Sequence, residues 1–129
     1  MGRSGGRNAA LVGFPRGLED ALAELLGAQG LAVFRLETET EAAELLLTTK
    51  VELVVASGRC TEASVMRLVD VLGAPRTTRV LVLLTGRDIE AERRYREAGV
   101  HFVMTMPVTV EDLLRAGGPA ASRGLEHAE

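Results

Sequence analysis

The chain has 129 residues, 47% of them apolar, which is enough for one packed domain and too few for two. Its net charge of −3 gives no general attraction to nucleic acid, and without Trp it has no obvious platform for stacking bases. No apolar run is long enough to cross a bilayer, and the only cysteine, Cys60, has no partner for an internal disulfide, which suits a reducing cytoplasm. A cytoplasmic protein without a membrane or nucleic-acid partner is the expectation. Cys60, His101 and His127 stand apart in sequence, so no metal site and no cofactor are expected.

Residues 1–8 carry Arg3 and Arg7 but no apolar stretch of signal-peptide length, and read as a flexible arm. Residues 8–13 (NAALVG) open the ordered part as a strand. Leu18, Leu22, Leu25 and Leu26 follow at helical spacing, and Gly30 closes that helix. Residues 31–36 (LAVFRL) predict a second strand. Thr38 and Glu41 form a capping box before a helix with the narrow stripe Ala42, Leu45, Leu46. Residues 51–57 (VELVVAS) are a nearly continuous apolar run ending in the turn-forming pair Ser57-Gly58, the pattern of a strand buried on both faces.

The next helix has Val65, Leu68, Val69 and Leu72 on one face and ends at Gly73 and Pro75. Residues 79–84 (RVLVLL) are a second fully apolar strand. Asp88 caps a polar helix in which Ala91, Tyr95 and Ala98 are spaced to pack inward. Glu90 and Arg94, Glu92 and Arg96, and Arg93 and Glu97 are placed for local ion pairs, and Gly99 closes the helix. Residues 101–105 (HFVMT) are the last strand, Met106-Pro107 breaks away, and Val110, Leu113 and Leu114 mark a last short helix. The expected division is an arm over 1–8, one domain over 9–116 and a linker-like tail over 117–129.

Strict alternation of strand and helix demands an α/β fold: one doubly wound parallel sheet with right-handed crossovers. The two most apolar strands belong at the centre, and the second strand, which carries Arg35, at an edge. In such sheets chemistry sits beyond the C-terminal strand ends. Ser57 occupies that place as a neutral hydroxyl without a base near it in sequence.

Three segments carry a family resemblance: 98–108 (AGVHFVMTMPV), 51–57 (VELVVAS) and 81–86 (LVLLTG). Together they resemble the receiver domain of two-component response regulators, from about Ala9 to about Arg115. The resemblance implies a five-stranded flavodoxin-like sheet in the order 2-1-3-4-5. It also places the family's functional positions. The acidic pair that holds Mg²⁺ in receivers falls on Gly13 and Phe14, the phospho-accepting Asp on Ser57, and the Lys before the Pro on Met106. The aromatic switch falls on Val103, with Phe102 one place off and on the other face. The hydroxyl after strand four is kept as Thr85.

Phosphoryl transfer to a receiver needs a carboxylate nucleophile, a divalent cation and a positive charge on the moving group. These positions supply none of the three, and Phe14 and Met106 are suited to filling the vacated cleft. The implied function is that of a non-phosphorylatable pseudo-receiver, a protein–protein interaction module in two-component-type signalling, and not an enzyme. In the family, the face formed by the fourth helix, fifth strand and fifth helix serves for dimerisation and output. Here it includes Arg93, Tyr95, Arg96 and His101. The alternative is a small-ligand domain of similar topology, of cobalamin or nucleotide type, although the Asp-x-His-x-x-Gly motif of the former is absent. Other residues have two readings. Thr85 is a phosphate-binding relic or a strand-end hydroxyl bonded to backbone. Cys60, beside Arg59, is a redox sensor or an incidental thiol. The group Arg87, Arg93, Arg94, Arg96 is an anion site or a solvated helix face.

Overall fold

The computed structural model describes residues 7–58, 62–72, 78–109 and 111–112. In chain order the elements are β1 (Asn8–Val12), α1 (Arg16–Ala28), β2 (Ala32–Leu36), α2 (Glu39–Thr48) and β3 (Leu53–Ser57). They continue with α3 (Glu62–Leu72), β4 (Arg79–Leu84), α4 (Ile89–Glu97) and β5 (Phe102–Thr105). Val110, Leu113 and Leu114, named for the last helix, lie outside the described residues, as do Cys60, most of the expected arm and all of the expected tail, while 111–112 are helical. No helix among the described residues is long and apolar enough to cross a membrane.

All strand pairs are parallel, and the order is β2-β1-β3-β4-β5. Sequence alternation assigns the two faces. Ala9, Leu11, Leu53, Val55, Leu81 and Leu83 pack with Leu22, Ala23 and Leu26 of α1 on one face. Ala10, Val12 and Val54 meet Ala42 and Leu68 on the other, continued by Ala56, Val80 and Val82 against Val65, Val69, Ala91 and Tyr95. β3 from Leu53 to Ala56 and β4 from Val80 to Leu84 are therefore apolar throughout, because neither face meets water. Each fully buried Leu or Val there contributes about 1.5–3 kcal/mol of burial.

β2 is the edge strand, as Arg35 required. Its guanidinium reaches Asp20 and, at 3.9 Å, Glu19 of α1. The first strand ends at Val12 rather than at residue 13, because Gly13 has φ 79°, outside any strand conformation. Likewise Val51 precedes the β3 ladder; it is buried, and its carbonyl accepts from the Thr78 hydroxyl. Arg7 and Asn8, at the end of the expected arm, are held. Arg7 donates to the Gln29 carbonyl at 3.2 Å and its own carbonyl accepts from Ala32 N–H at 2.9 Å, while Asn8 opens β1. The arginine thus serves the C-terminus of α1, whose last turn has no basic residue of its own.

The capping box on α2 forms with one difference. Glu41 N–H donates to Thr38 Oγ1 at 3.2 Å, but the Glu41 carboxylate accepts from Glu37 N–H, at 2.8 Å. Thr38→Ala removes the first of these bonds and should lower the denaturation midpoint by the equivalent of about 1 kcal/mol. An unchanged midpoint would show that the box contributes nothing. Asp88 caps α4 as expected, accepting from Ala91 N–H at 3.1 Å, and Gly99 follows the helix at φ 105°.

Candidate functional site at the C-terminal edge of the sheet

The parallel register brings the expected site residues to one edge. Val12 lies beside Ala56, Ser57 beside Leu83, and Leu84 beside Thr105. The next residues along these strands, Gly13, Thr85 and Met106, therefore join Ser57 where the strands end. Backbone bonds tie these ends together. Gly13 N–H donates to the Leu36 carbonyl (3.0 Å), Gly58 N–H to that of Leu83 (2.7 Å), and Met106 N–H to that of Leu84 (2.8 Å). The peptide bond between Met106 and Pro107 is cis.

The side chains at this edge are mostly apolar. Phe14 and Met106 are half-buried and pack against the same cluster, that of Leu11, Val55, Leu81 and Leu83, together with Leu18, Leu25, Met104 and Val108. Ser57 is 2% exposed and makes contacts of its own. Thr85 is exposed beyond the end of β4. Phe102 packs on the α1 face of β5 and Val103 on the α4 face, the opposition that alternation predicts.

A divalent cation of the Mg²⁺ type needs hard oxygen ligands, preferably anionic. Gly13 and Phe14 offer no side-chain oxygen, and Ser57 offers one neutral, buried hydroxyl. This donor set does not fit the ion. Among the described residues no group of three or more His, Cys, Asp or Glu is placed to hold a metal.

The candidate interaction face is changed in one member. Arg93 and Arg96 are exposed on α4, but Tyr95 is only 4% exposed and packs with Val80, Val103 and Ala91. Tyr95 is a core residue, as its spacing with Ala91 already suggested, and its ring is not a surface contact. His101 is exposed, and its Nδ1 accepts from Val80 N–H at 3.0 Å. Ile89, missed by sequence reasoning, is 66% exposed and stands four and seven residues before Arg93 and Arg96, on their side of α4. The signal was available: an isoleucine directly after the Asp88 cap lies off the inward stripe of Ala91, Tyr95 and Ala98. Arg93 and Arg94 both reach the Glu90 carboxylate, at 3.2 and 3.4 Å, which supports the solvated-face reading of the arginines.

No protein-family model matches the chain, and no curated protein matches it. Solved structures do. A response regulator from Burkholderia pseudomallei, with a phosphorylated aspartic acid and a calcium ion, superposes with TM-score 0.75 at 21% identity, covering 95% of this chain and 72% of that one. The fold is that of response-regulator receiver domains. A Saccharomyces cerevisiae receiver domain, in complex with a histidine phosphotransfer signalling protein, gives TM-score 0.72 at 12% identity over 86% of each chain. The beryllofluoride-activated NtrC4 receiver domain dimer gives 0.72 at 15%, over 95% of this chain and 98% of that one. The five-stranded order expected from the resemblance is the one observed, and the receiver fold is complete through β5.

Proposed function

We propose that this receiver-fold chain signals by binding proteins in a two-component-type pathway and takes up no phosphoryl group. The observation that carries the reading is the packing of half-buried Phe14 and Met106 against the core at the sheet edge where receiver chemistry needs acids and a lysine. With the position of the acceptor occupied by a buried serine, the site has no carboxylate nucleophile and no ligands for the cation. The same packing favours an interaction module over a small-ligand domain, since a ligand pocket needs an open cleft with convergent polar groups. The module is non-enzymatic, and its partner is a protein or a second copy of the chain. Arg93, Arg96, His101 and Ile89 are the contact residues of the α4–β5 side. The neighbours with a phosphotransfer protein and as a dimer are consistent with both kinds of partner.

The chain incubated with a small phosphodonor and Mg²⁺ should gain no mass by intact mass spectrometry. An added phosphate that mild base removes, as it removes an acyl phosphate, would overturn the proposal.

A further inference from the structure

The entry of β5 is built in an unusual way. β4 and β5 run parallel, with Leu81 beside Phe102 and Val82 beside Val103, so His101 stands beside Val80 where the ladder begins. His101 N–H donates to the Val80 carbonyl at 3.0 Å. The Val80 N–H is then met by a side chain: His101 Nδ1 accepts it at 3.0 Å. Backbone N–H is only a donor, so Nδ1 must carry a lone pair. The ring is therefore neutral, with its proton on Nε2. One residue thus closes the β4–β5 seam with both its backbone and its imidazole.

We infer that His101 is a proton-operated latch on the β4–β5 seam, closed when the ring is neutral and released when Nδ1 is protonated. A protonated Nδ1 would set a donor against a donor, so the ring must swing away into solvent, which its exposure permits. Val80 N–H then loses its protein acceptor. Among the described residues, the charged groups on the neighbouring elements are Arg79, which opens β4 one residue before Val80, and Arg94, Arg96 and Glu97 at the end of α4. The arginines only donate and cannot replace the lost acceptor, and Glu97 is exposed. The linkage has one sign. The opened seam binds one proton more than the closed one, so the latch is at full strength above the ordinary imidazole range and weakens progressively as pH falls below it. The seam borders the α4–β5 side, but the latch belongs to the isolated chain and stands whether or not a partner docks there.

The test has two readings. Nitrogen NMR of the His101 ring in the native chain at pH 8 should find Nδ1 unprotonated and the proton on Nε2. Hydrogen exchange should find the protection of the Val80 amide, relative to Leu81, falling below about pH 6.5 by up to tenfold per pH unit. His101→Asn places a carbonyl oxygen near the position of Nδ1 and does not titrate, so its relative protection should stay flat. A proton on Nδ1 at pH 8 would overturn the latch on the native chain alone. A pH-independent Val80 ratio in the native chain, or the same fall in His101→Asn, would also overturn it.

Discussion

Ser57→Asp, which places a carboxylate at the C-terminal end of β3, should cost this chain about 3 kcal/mol at pH 7. Ser57 is 2% exposed at the end of the central strand, and the side chains brought to that edge, Phe14 and Met106, are uncharged. A carboxylate there is taken out of water without a cation. Burial then raises its pKa in the folded state above the unfolded value of about 3.9. The loss is fully present above the raised value and shrinks as pH falls toward the unfolded one, at about 1.4 kcal/mol per unit. Urea melts of variant and native chain at pH 7 and pH 4.5 should therefore differ more at pH 7. Met106→Lys alone should cost about 1–3 kcal/mol, tempered by the long stem that lets the ammonium reach solvent. The double variant should lose less than the two single losses combined, because the introduced charges then attract each other. It should still take up no phosphate, since the cation lacks ligands. A stability-neutral Ser57→Asp would mean that the cleft is hydrated or polar, and the apolar plug would be wrong.

Gly58→Ala should cost about 1–3 kcal/mol, although alanine is the smallest change available. A methyl carbon at this position would stand 2.8 Å from Leu84 Cδ2, 3.0 Å from the Leu83 carbonyl oxygen and 3.2 Å from Leu84 Cα. The leucine side chain can turn aside. The carbonyl cannot, because it is the acceptor of the Gly58 N–H bond at 2.7 Å. Relief requires β3 and β4 to part at their ends. Gly86→Ala, where nothing stands within 4 Å of the added carbon, is the internal control and should change stability by no more than about 0.5 kcal/mol. Equal effects at the two glycines in thermal melts would show that close approach is not the reason for Gly58.

The sheet was legible in the sequence because its central strands must be apolar on both faces. Nothing but double burial explains residues 79–84, and the lone Arg35 sends β2 to the edge. Helix limits were legible where a side chain caps a backbone group, as at Thr38 and Asp88. What failed to show is what depends on a second element. The burial of Ser57 follows from the fit of β1, β3 and β4, not from its neighbours in sequence. The close approach at Gly58 and the bond between His101 and Val80 join residues about 20 or more apart. Tyr95 illustrates the limit in a helix: its spacing from Ala91 pointed inward while the family face pointed outward, and only packing decides between them. The apolar character of the site edge was readable from Gly13, Phe14 and Met106, because none of them carries a charge and that is written in residue identity.

The three bonds that fasten the strand ends, from Gly13, Gly58 and Met106, all run between backbone atoms. The residue is restricted at Gly13, whose φ of 79° favours glycine, and at Gly58, where neighbours stand close, but not at Met106. Where such a bond is all that is required, as at Met106, the path of the main chain is set independently of the chemistry displayed on it.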